Sequence, residues 1–324
     1  MTNAKYHAID LFAGVGGIRL GFEQAFGNKM DTVFVSEMDK WANKTYALNF
    51  GQEPSVAGDI TKVEAKDIPA FDIGLAGFPC QAFSIAGKRR GFEDIRGTLF
   101  FDVMRIVSAH RPRVVFLENV KNLLTHDHGN TFAVILASLD EIGYHVKYKV
   151  MNACRYGNVP QNRERIYIVA FREQCDAERF AFPEPIPLTT SLSDVINFAF
   201  PVPEKYYYRP GRYADDQIYQ ALCHDALDPN VVYQWRRRYV RANKSGVVPT
   251  LTANMGTGGH NVPIVFTPYG WRKLTPRECF NVQGFPDTFL LPNDVSDGRL
   301  YKQAGNSVCV PVIKRIATRI FFAL

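Results

Sequence analysis

The sequence predicts an α/β fold in which the amino-terminal half forms a doubly wound sheet. Short apolar runs of strand length alternate there with longer amphipathic segments of helical period. Glycine-rich or acidic turns follow several of the runs directly, as expected of parallel strands whose carboxyl ends form a ligand-binding edge. Prolines at 183, 185 and 187 then mark a linker to a smaller, irregular and mostly β domain.

Individual elements follow from the periodicity of the apolar residues. Strands are predicted over 7–12, 32–36, 71–76, 113–117 and 144–150, with an extended segment over 161–170. Helices are predicted from residue 18, over 39–49, from the cap at Thr98 through 107, over 132–142, and from Pro311 to the end. The apolar face of the last helix predicts that it packs back onto the first domain.

Composition limits the function classes. The formal charge of +6 and the isoelectric point near 8.9 favour a polyanionic partner such as nucleic acid. No apolar run reaches membrane-spanning length and no secretory signal is evident, so a cytoplasmic location without membrane attachment is expected. The six cysteines form no CxxC pair, which argues for reduced thiols and against zinc, and the histidines of 126–128 are more typical of a turn than of a metal site.

The first strand leads into a turn with Gly14, Gly16 and Gly17 before a helix. A dinucleotide fingerprint would require a third glycine where this chain has Arg19, so a nucleoside-type ligand without pyrophosphate fits better. Glu37 ends the next strand at a position suited to a ribose hydroxyl. Further along, Asp59 and Ile60 could hold an adenine amine and ring face. Each acid taken alone is also typical of a solvated carboxylate or a helix cap.

Cys80 follows the predicted strand 71–76 in the sequence Gly77 Phe78 Pro79 Cys80. Glycine permits a close approach of backbone to ligand, and proline stiffens the turn that presents the thiol. A buried cysteine acting as a small hydrophobe is the alternative. The glycine-flanked segment that follows carries Lys88, Arg89 and Arg90, which could contact phosphates.

Glu118 follows the central apolar run 113–117, where a carboxylate is costly without a partner or a role. A structural cap is the alternative interpretation. Arg163 and Arg165 alternate along the extended segment that enters the last strand of this half, so they should share one face.

Residues 204–271 are rich in aromatic and basic side chains and lack the alternating pattern. Interleaved aromatics around Arg236, Arg237 and Arg238 favour a nucleic-acid surface over a merely solvated basic face. A glycine loop follows Thr250, and its candidate base-reading residues are Asn254, Gly256, Gly258, Gly259 and His260.

The ordered series of motifs resembles the cytosine C5 DNA methyltransferases of bacterial restriction-modification systems over nearly the whole chain. The motifs are 10–17, Glu37, Asp59, Pro79–Gln81, Glu118–Val120, 161–165, Leu274–Glu278 and Gly305–Val308. Each is weak to moderate alone, but their order and spacing are specific. The resemblance implies a Rossmann-like, doubly wound mixed sheet of the class I methyltransferase type with a target-recognition domain. The implied boundaries are 1–188 with 301–324 for catalysis, and 189–300 for recognition with a hinge.

The resemblance also implies S-adenosyl-L-methionine as cofactor. Its binding residues would be Phe12, Gly14, Gly16, Gly17, Glu37, Asp59 and Ile60, with Asn306 and Ser307 closing the pocket. Met38 stands where many relatives carry an aromatic residue that stacks on adenine. A thioether can still cover a ring.

For the chemistry, the resemblance makes Cys80 the nucleophile that adds to cytosine C6 and Glu118 the donor at N3. Arg163 and Arg165 would orient the base oxygen and favour the thiolate. The base must leave the duplex stack, which is the expected work of the recognition domain and of the loop from Ser84 to Arg90. Thr250 is expected to hold a phosphate near the flipped nucleotide.

The expected partner is double-stranded DNA, bound by a monomer in the bacterial cytoplasm at the nucleoid, with any cognate restriction endonuclease acting separately. Two other classes stay open at this stage. An RNA cytosine-5 methyltransferase of the same fold should lack a long recognition segment. A catalytically inactive DNA-binding module would tolerate loss of Cys80 or Glu118, and both are present.

Overall fold

The structure is a computed structural model that describes residues 5–52, 54–79, 99–211, 216–236, 238–243, 245–256 and 262–324. The chain divides into two compact units. The first unit comprises residues 1–151, 164–184 and 312–324, and the second comprises residues 152–163 and 185–311.

The strands of the described residues, in chain order, are β1 (Tyr6–Leu11), β2 (Met30–Ser36), β3 (Val56–Ala57), β4 (Ile73–Ala76), β5 (Val114–Val120), β6 (His145–Asn152), β7 (Gln161–Asn162), β8 (Glu164–Phe171), β9 (Val232–Trp235), β10 (Val240–Asn243), β11 (Val248–Pro249), β12 (Ile264–Thr267) and β13 (Gly270–Lys273). The α-helices are α1 (Gly17–Phe26), α2 (Lys40–Phe50), α3 (Leu99–His110), α4 (Asn130–Glu141), α5 (Ala153–Tyr156), α6 (Gln174–Arg179), α7 (Gln217–Asp225), α8 (Pro276–Val282), α9 (Asp297–Asn306) and α10 (Val310–Ala323).

The first unit is built on a seven-stranded sheet of order β3-β2-β1-β4-β5-β8-β6. Strands β3, β2, β1, β4 and β5 are parallel to their neighbours, and β8 runs antiparallel to β5. The chain winds outward from β1 through β2 to β3, then returns to the other side of β1 at β4. This reversal opens a crevice beyond the carboxyl ends of β1 and β4, where open α/β sheets bind ligands. The predicted doubly wound mixed sheet is confirmed.

The main core lies against one face of this sheet. Ile9 and Leu11 of β1 are buried there in one cluster with residues of α3 and α4, such as Phe100, Val107 and Leu139. Full burial of each such side chain contributes about 1.5 to 3 kcal/mol of hydrophobic free energy. Because strand residues alternate between faces, Asp10 points to the opposite side from Ile9 and Leu11.

Helix α10 packs against α1 within the first unit. A Cβ added at Gly21 of α1 would lie 2.5 Å from Ile313 Cγ2, so only glycine permits this approach. The rings of Phe26 and Phe321 meet edge to face, 5.0 Å apart. The prediction that the last helix returns to the first domain is confirmed.

The second unit contains a four-stranded antiparallel sheet of order β10-β9-β12-β13 and a small parallel pair, β11-β7. Its core is formed by buried residues that include Tyr208, Leu222, Tyr233, Val240 and Ile264. Leu222 comes from α7, and Tyr233, Val240 and Ile264 come from one face of the sheet. Tyr208 lies before α7 in the chain. The other face of β9 and β10 therefore remains available for polar residues.

Three details differ from the predicted elements and boundaries. Strand β5 extends to Val120 because its ladder with β8 continues to the pair Val120 and Arg165, so Glu118 lies inside the strand. Phe12 follows β1 with φ of 56° instead of continuing the strand. Residues 152–163, 185–188 and 301–311 belong to the second unit, in part because β7 pairs with β11.

Candidate functional site

The glycine turn after β1 has the backbone of a ligand cradle. Gly14 and Gly16 both adopt left-handed conformations, with φ of 56° and 83°. A Cβ at Gly16 would lie 2.3 Å from Phe50 Cε2, so packing as well as φ requires glycine. A Cβ at Gly14 would meet no described atom within 4 Å, which leaves that side of the turn open. Gly17 begins α1 directly after the turn.

Glu37 ties the second strand to this turn. Its Oε2 accepts a hydrogen bond from the Gly14 amide at 2.8 Å, and its Oε1 accepts one from the Asp39 amide at 2.6 Å. A carboxylate offers about four acceptor sites, so the side chain can still accept from a ligand hydroxyl. Met38 is 75% exposed beside it, as a residue that covers a ligand ring would be.

Asp59 and Ile60 are placed less directly for binding. Asp59 accepts hydrogen bonds from the hydroxyl and the amide of Thr61, and these bonds lower the pKa of its carboxyl group. The Ile60 side chain is 3% exposed and belongs to the main core. Its burial differs from the expectation that it covers an adenine ring, because the short helical turn 60–62 points it inward.

Glu118 and the segment after β4 lie side by side at the carboxyl edge of the sheet. Ala76 of β4 pairs with Leu117 of β5, and the Asn119 side-chain amide donates to the Phe78 carbonyl at 2.9 Å. A Cβ at Gly77 would lie 3.7 Å from Glu118 Oε2. The sheet therefore brings Glu118 against the residues that immediately precede Cys80 in the sequence.

The two arginines predicted to share one face have different partners. Arg165 Nε lies 3.2 Å from Glu118 Oε1, and both side chains are largely buried. Arg163 is 2% exposed, and its guanidinium donates to the carbonyls of Leu251, Gly305 and Ser307 in the second unit. Arg163 was expected to orient the oxygen of the target base, but in the structure its guanidinium binds these main-chain carbonyls. It orders the chain around Leu251 instead.

Asp10 was not among the candidate residues, although an acid inside the apolar run 7–12 was a signal. It is fully buried, and neither carboxyl oxygen has a hydrogen-bond partner among the described residues. Burial raises the pKa of Asp10 to about 7, against the opposing attraction of Arg19. Arg19 in turn donates to Glu23 at 2.6 Å and to the Tyr46 hydroxyl at 2.9 Å. This network lies behind the glycine turn.

In the second unit, Arg236 and Arg238 are exposed in the turn between β9 and β10. Thr250 donates its hydroxyl proton to the Asn162 carbonyl at 2.6 Å, so holding a phosphate through that proton would require this bond to break. Asn254 Oδ1 accepts from the Thr252 hydroxyl at 2.6 Å. Gly256 has φ of 74°, and a Cβ there would lie 2.7 Å from Tyr301 Cδ2, so packing requires glycine at this position.

A cavity of about 630 Å³ opens beside these residues, entirely within the second unit. Its lining includes Gln234, Arg236, Arg241, Asn243, Thr250 and Thr252. Gln234 and Arg241 were also not among the candidates. The alternation of β9, in which Tyr233 and Trp235 are the apolar members, was the signal that could have indicated Gln234.

Asn306 ends α9 and is exposed, and Ser307 follows it as a largely buried residue. Both belong to the second unit, so the first unit by itself does not bring them to the glycine turn. The candidates that lie outside the described residues are Cys80, Ser84, Lys88, Arg89, Arg90, Arg237, Gly258, Gly259 and His260.

Within the described ranges, no group of three or more histidine, cysteine or acidic side chains is arranged to hold a metal ion. Of the helices in the same ranges, none has the length and apolar character needed to cross a membrane.

Comparison with known proteins gives a consistent result. The family model described as C-5 cytosine-specific DNA methylase matches residues 6–322. The chain is 54% identical over 312 residues to the Type II methyltransferase M.Bsp6I of Bacillus sp. (strain RFL6), covering 96% of this chain and 97% of that protein. It is 42% identical over 317 residues to the Type II methyltransferase M.HhaI of Haemophilus parahaemolyticus, covering 96% and 93%.

Solved structures match in fold at low sequence identity. A mutant of the DNMT2 protein of Spodoptera frugiperda superposes with a TM-score of 0.73 at 20% identity, covering 98% of this chain and all of that one. The Entamoeba histolytica methyltransferase EhMeth gives a TM-score of 0.72 at 18% identity, with 99% of both chains covered. The fold that the sequence predicts is therefore found in independently solved proteins.

Proposed function

Since this chain belongs to the C-5 cytosine-specific DNA methylase family and is a DNA (cytosine-5)-methyltransferase, we propose that it methylates cytosine C5 in duplex DNA from S-adenosylmethionine within a restriction-modification system. The observation that carries the assignment of its site is the contact of Glu118 with Arg165 and with the segment leading to Cys80. The relatives named Type II methyltransferases support the restriction-modification setting.

The groups around the glycine turn fit the proposed cofactor. Gly14 leaves an open side on the turn, Glu37 presents a carboxylate anchored by two amides, and Met38 is exposed next to it. These residues would hold the adenosine portion, with Glu37 accepting from ribose hydroxyls and Asp59 from the adenine amine. When bound, S-adenosylmethionine supplies an electrophilic methyl group.

Cytosine C5 is too electron-poor to accept this group directly, so the chain's own residues must first activate the ring. The Cys80 thiolate adds to C6, and the electron pair of the C5–C6 double bond becomes available at C5. Negative charge spreads toward N3, where Glu118 donates a proton or a hydrogen bond. Once C5 carries the methyl group, a base removes the proton on C5. The C5–C6 double bond then re-forms as the Cys80–C6 bond breaks.

Arg165 and Arg163 contribute in different ways to this arrangement. Arg165 holds the Glu118 carboxyl in place at 3.2 Å and can donate to the base oxygen from the same side. Arg163 positions the main chain at Leu251, next to Thr250, through its buried hydrogen bonds. Its effect on the base is then indirect, through the segment that it orders.

DNA recognition is assigned to the second unit together with the loop from Ser84 to Arg90. Arg236, Arg237 and Arg238 would contact phosphates, and the glycine loop from Asn254 to His260 would lie near base edges. Flipping the target base costs a few kcal/mol, which these contacts must offset. The same proposal includes a monomer that acts in the cytoplasm at the nucleoid, with any cognate endonuclease as a separate protein.

The direct test is to incubate the protein and S-adenosylmethionine with unmodified genomic DNA and to map methylated cytosines by sequencing. We expect 5-methylcytosine at one short recurring sequence. Total cellular RNA treated in parallel serves as the comparison. Methylation of the RNA alone would replace the DNA assignment with the RNA enzyme class, and no methylation of either would contradict the proposed activity.

A further inference from the structure

A polar cross-strand pair occupies the cavity face of the β9–β10 hairpin. Arg241 pairs directly with Gln234 in the antiparallel register, so the two side chains project from the same face. Tyr233 belongs to the apolar core on the other face, as does the partly buried Trp235. Gln234 and Arg241 both line the 630 Å³ cavity of the second unit.

Gln234 is buried without its full set of hydrogen bonds. The residue is 6% exposed, and its side-chain oxygen Oε1 has no hydrogen-bond partner among the described residues. A buried acceptor that lacks a partner is unfavourable in a folded protein unless a ligand completes it. Gln234 lines the cavity and its oxygen is almost inaccessible in the free protein, so a ligand in the cavity would supply the missing donor once the side-chain amide turns toward it.

The cavity has the chemistry of a nucleic-acid site. Arg236 and Arg241 supply positive charge, and amides and hydroxyls such as those of Asn243, Thr250 and Thr252 supply hydrogen-bonding groups. No carboxylate is among the described residues that line it. A ligand with both anionic groups and polar ring edges matches this lining.

We propose that Gln234 and Arg241 together read one G·C pair of the DNA target from the major groove. Arg241 donates to guanine O6 and N7, and Gln234 Oε1 accepts from the N4 amine of the paired cytosine. The open atom on Gln234 is an acceptor, and the major-groove donors are the amines of adenine and cytosine. The neighbouring arginine selects guanine, so the donor on the same pair is cytosine.

This inference rests on the proposed function and deepens it. The glycine loop from Asn254 to His260 is the base-reading element expected from the sequence. The cross-strand pair is instead held by a sheet, which positions side chains more firmly than a loop does. Sequence selectivity at one base pair is therefore assigned to the hairpin.

The test combines base analogues in the mapped cognate duplex with substitutions in the protein, and it measures methylation rates. Each guanine is replaced in turn by 7-deazaguanine, which lacks the N7 acceptor, and each non-target cytosine by N4-methylcytosine, which blocks the major-groove amine proton. At one pair, each replacement should slow the wild-type enzyme by about 10- to 100-fold. Arg241→Ala should lower the methylation rate on the unmodified duplex by a similar factor. With this variant, 7-deazaguanine at that pair should cause no further decrease in rate.

For the partner residue, Gln234→Met keeps the side-chain volume and removes the acceptor. This variant should become insensitive to N4-methylcytosine at that pair, while its melting temperature stays equal to or above that of the wild type. The matched control is Gln220→Met, an exposed glutamine on α7, which should keep full sensitivity.

Two results would overturn the inference while the proposed function stands. One is a wild-type enzyme that methylates its site but shows no pair sensitive to both analogues. The other is a Gln234→Met variant that remains fully sensitive or that melts at a lower temperature, which would indicate a structural role. Absence of wild-type methylation on every duplex would instead contradict the proposed function itself.

Discussion

The sheet edge of the first unit and the β9–β10 hairpin of the second unit place polar groups by different means. At the sheet edge, main-chain geometry dominates: Gly14 and Gly16 turn the chain, and both Glu37 oxygens are held by backbone amides. On the hairpin, strand register dominates, because the pairing of Gln234 with Arg241 sets which side chains share a face.

The two regions differ in whether the protein itself supplies hydrogen-bond partners to the buried polar groups. Glu37 has its carboxylate anchored by the protein, and Glu118 has Arg165 beside it. Gln234 instead keeps one buried oxygen without a partner among the described residues. A fixed site suits a reaction whose geometry is always the same, whereas an incomplete site gains free energy only from a ligand that completes it.

The largest effect should come from Cys80, the proposed nucleophile. Cys80→Ala should lower the methylation rate by about a thousandfold or more, because no adduct can form at C6. It should also abolish the denaturant-stable complex with DNA carrying 5-fluorocytosine, since fluorine cannot leave as the C5 proton does. Cys175→Ala, at an exposed thiol on α6, is the matched control and should trap normally. A stable adduct in the Cys80 variant would exclude Cys80 as the nucleophile.

Glu118→Gln should lower turnover by roughly a hundredfold, because the side chain keeps its shape but loses the transferable proton. Cofactor affinity should stay within about twofold of the wild type, since Glu118 is not assigned to that pocket. Single-turnover methylation and calorimetric titration separate the two quantities. Near-normal turnover would assign Glu118 a structural role and weaken the view of the sheet edge as the reacting centre.

Glu37→Gln tests the cofactor side of the same edge. Loss of the charge that anchors Gly14 and that we propose faces the ribose should raise the dissociation constant for S-adenosylmethionine by about 10- to 100-fold. Glu64→Gln, at an exposed glutamate, should leave that constant unchanged. Equal affinities for both variants would place the ribose contact elsewhere.

Arg236→Ala and Arg238→Ala sharpen the description of the second unit. If these exposed arginines meet phosphates, each substitution should weaken DNA binding by a similar factor on cognate and mismatched duplexes. The slope of log affinity against log salt should fall by about one for each lost contact. Fluorescence titrations at several salt concentrations measure both effects. A loss confined to the cognate duplex would make these residues base readers.

The smallest effect on activity is expected from Asp10→Asn, which should appear instead in the pH dependence of stability. Because burial raises the pKa of Asp10 to about 7, the folded protein retains a proton that the unfolded chain loses above its ordinary pKa of 3.8. Stability from this group is therefore fully present below about pH 4 and is lost as the pH rises toward 7.

The free energy of unfolding of the wild type should fall relative to Asp10→Asn by up to about 1.4 kcal/mol per pH unit between pH 5 and 7. Urea unfolding at each pH measures this difference. Asp31→Asn, which removes an exposed partner of Lys5, should run parallel to the wild type. Parallel curves for the Asp10 variant as well would mean that Asp10 is charged in the folded protein.

The sequence by itself determined the fold class, the glycine turn, the carboxylate at Glu37 and the position of Glu118 near a strand end. These features depend on short-range sterics and on the periodicity of neighbouring residues, so a contiguous stretch contains the information. The family followed from the same stretches, because their order along the chain is itself a one-dimensional property.

Only the tertiary structure decided which residues meet. Arg163 and Arg165 are two positions apart, yet one binds carbonyls of the second unit and the other pairs with Glu118. Ile60 is drawn into the core, and Gln234 is turned toward a cavity by its pairing with β10. Such outcomes depend on strand register and on packing between residues far apart in the chain, and local preferences do not specify either of them.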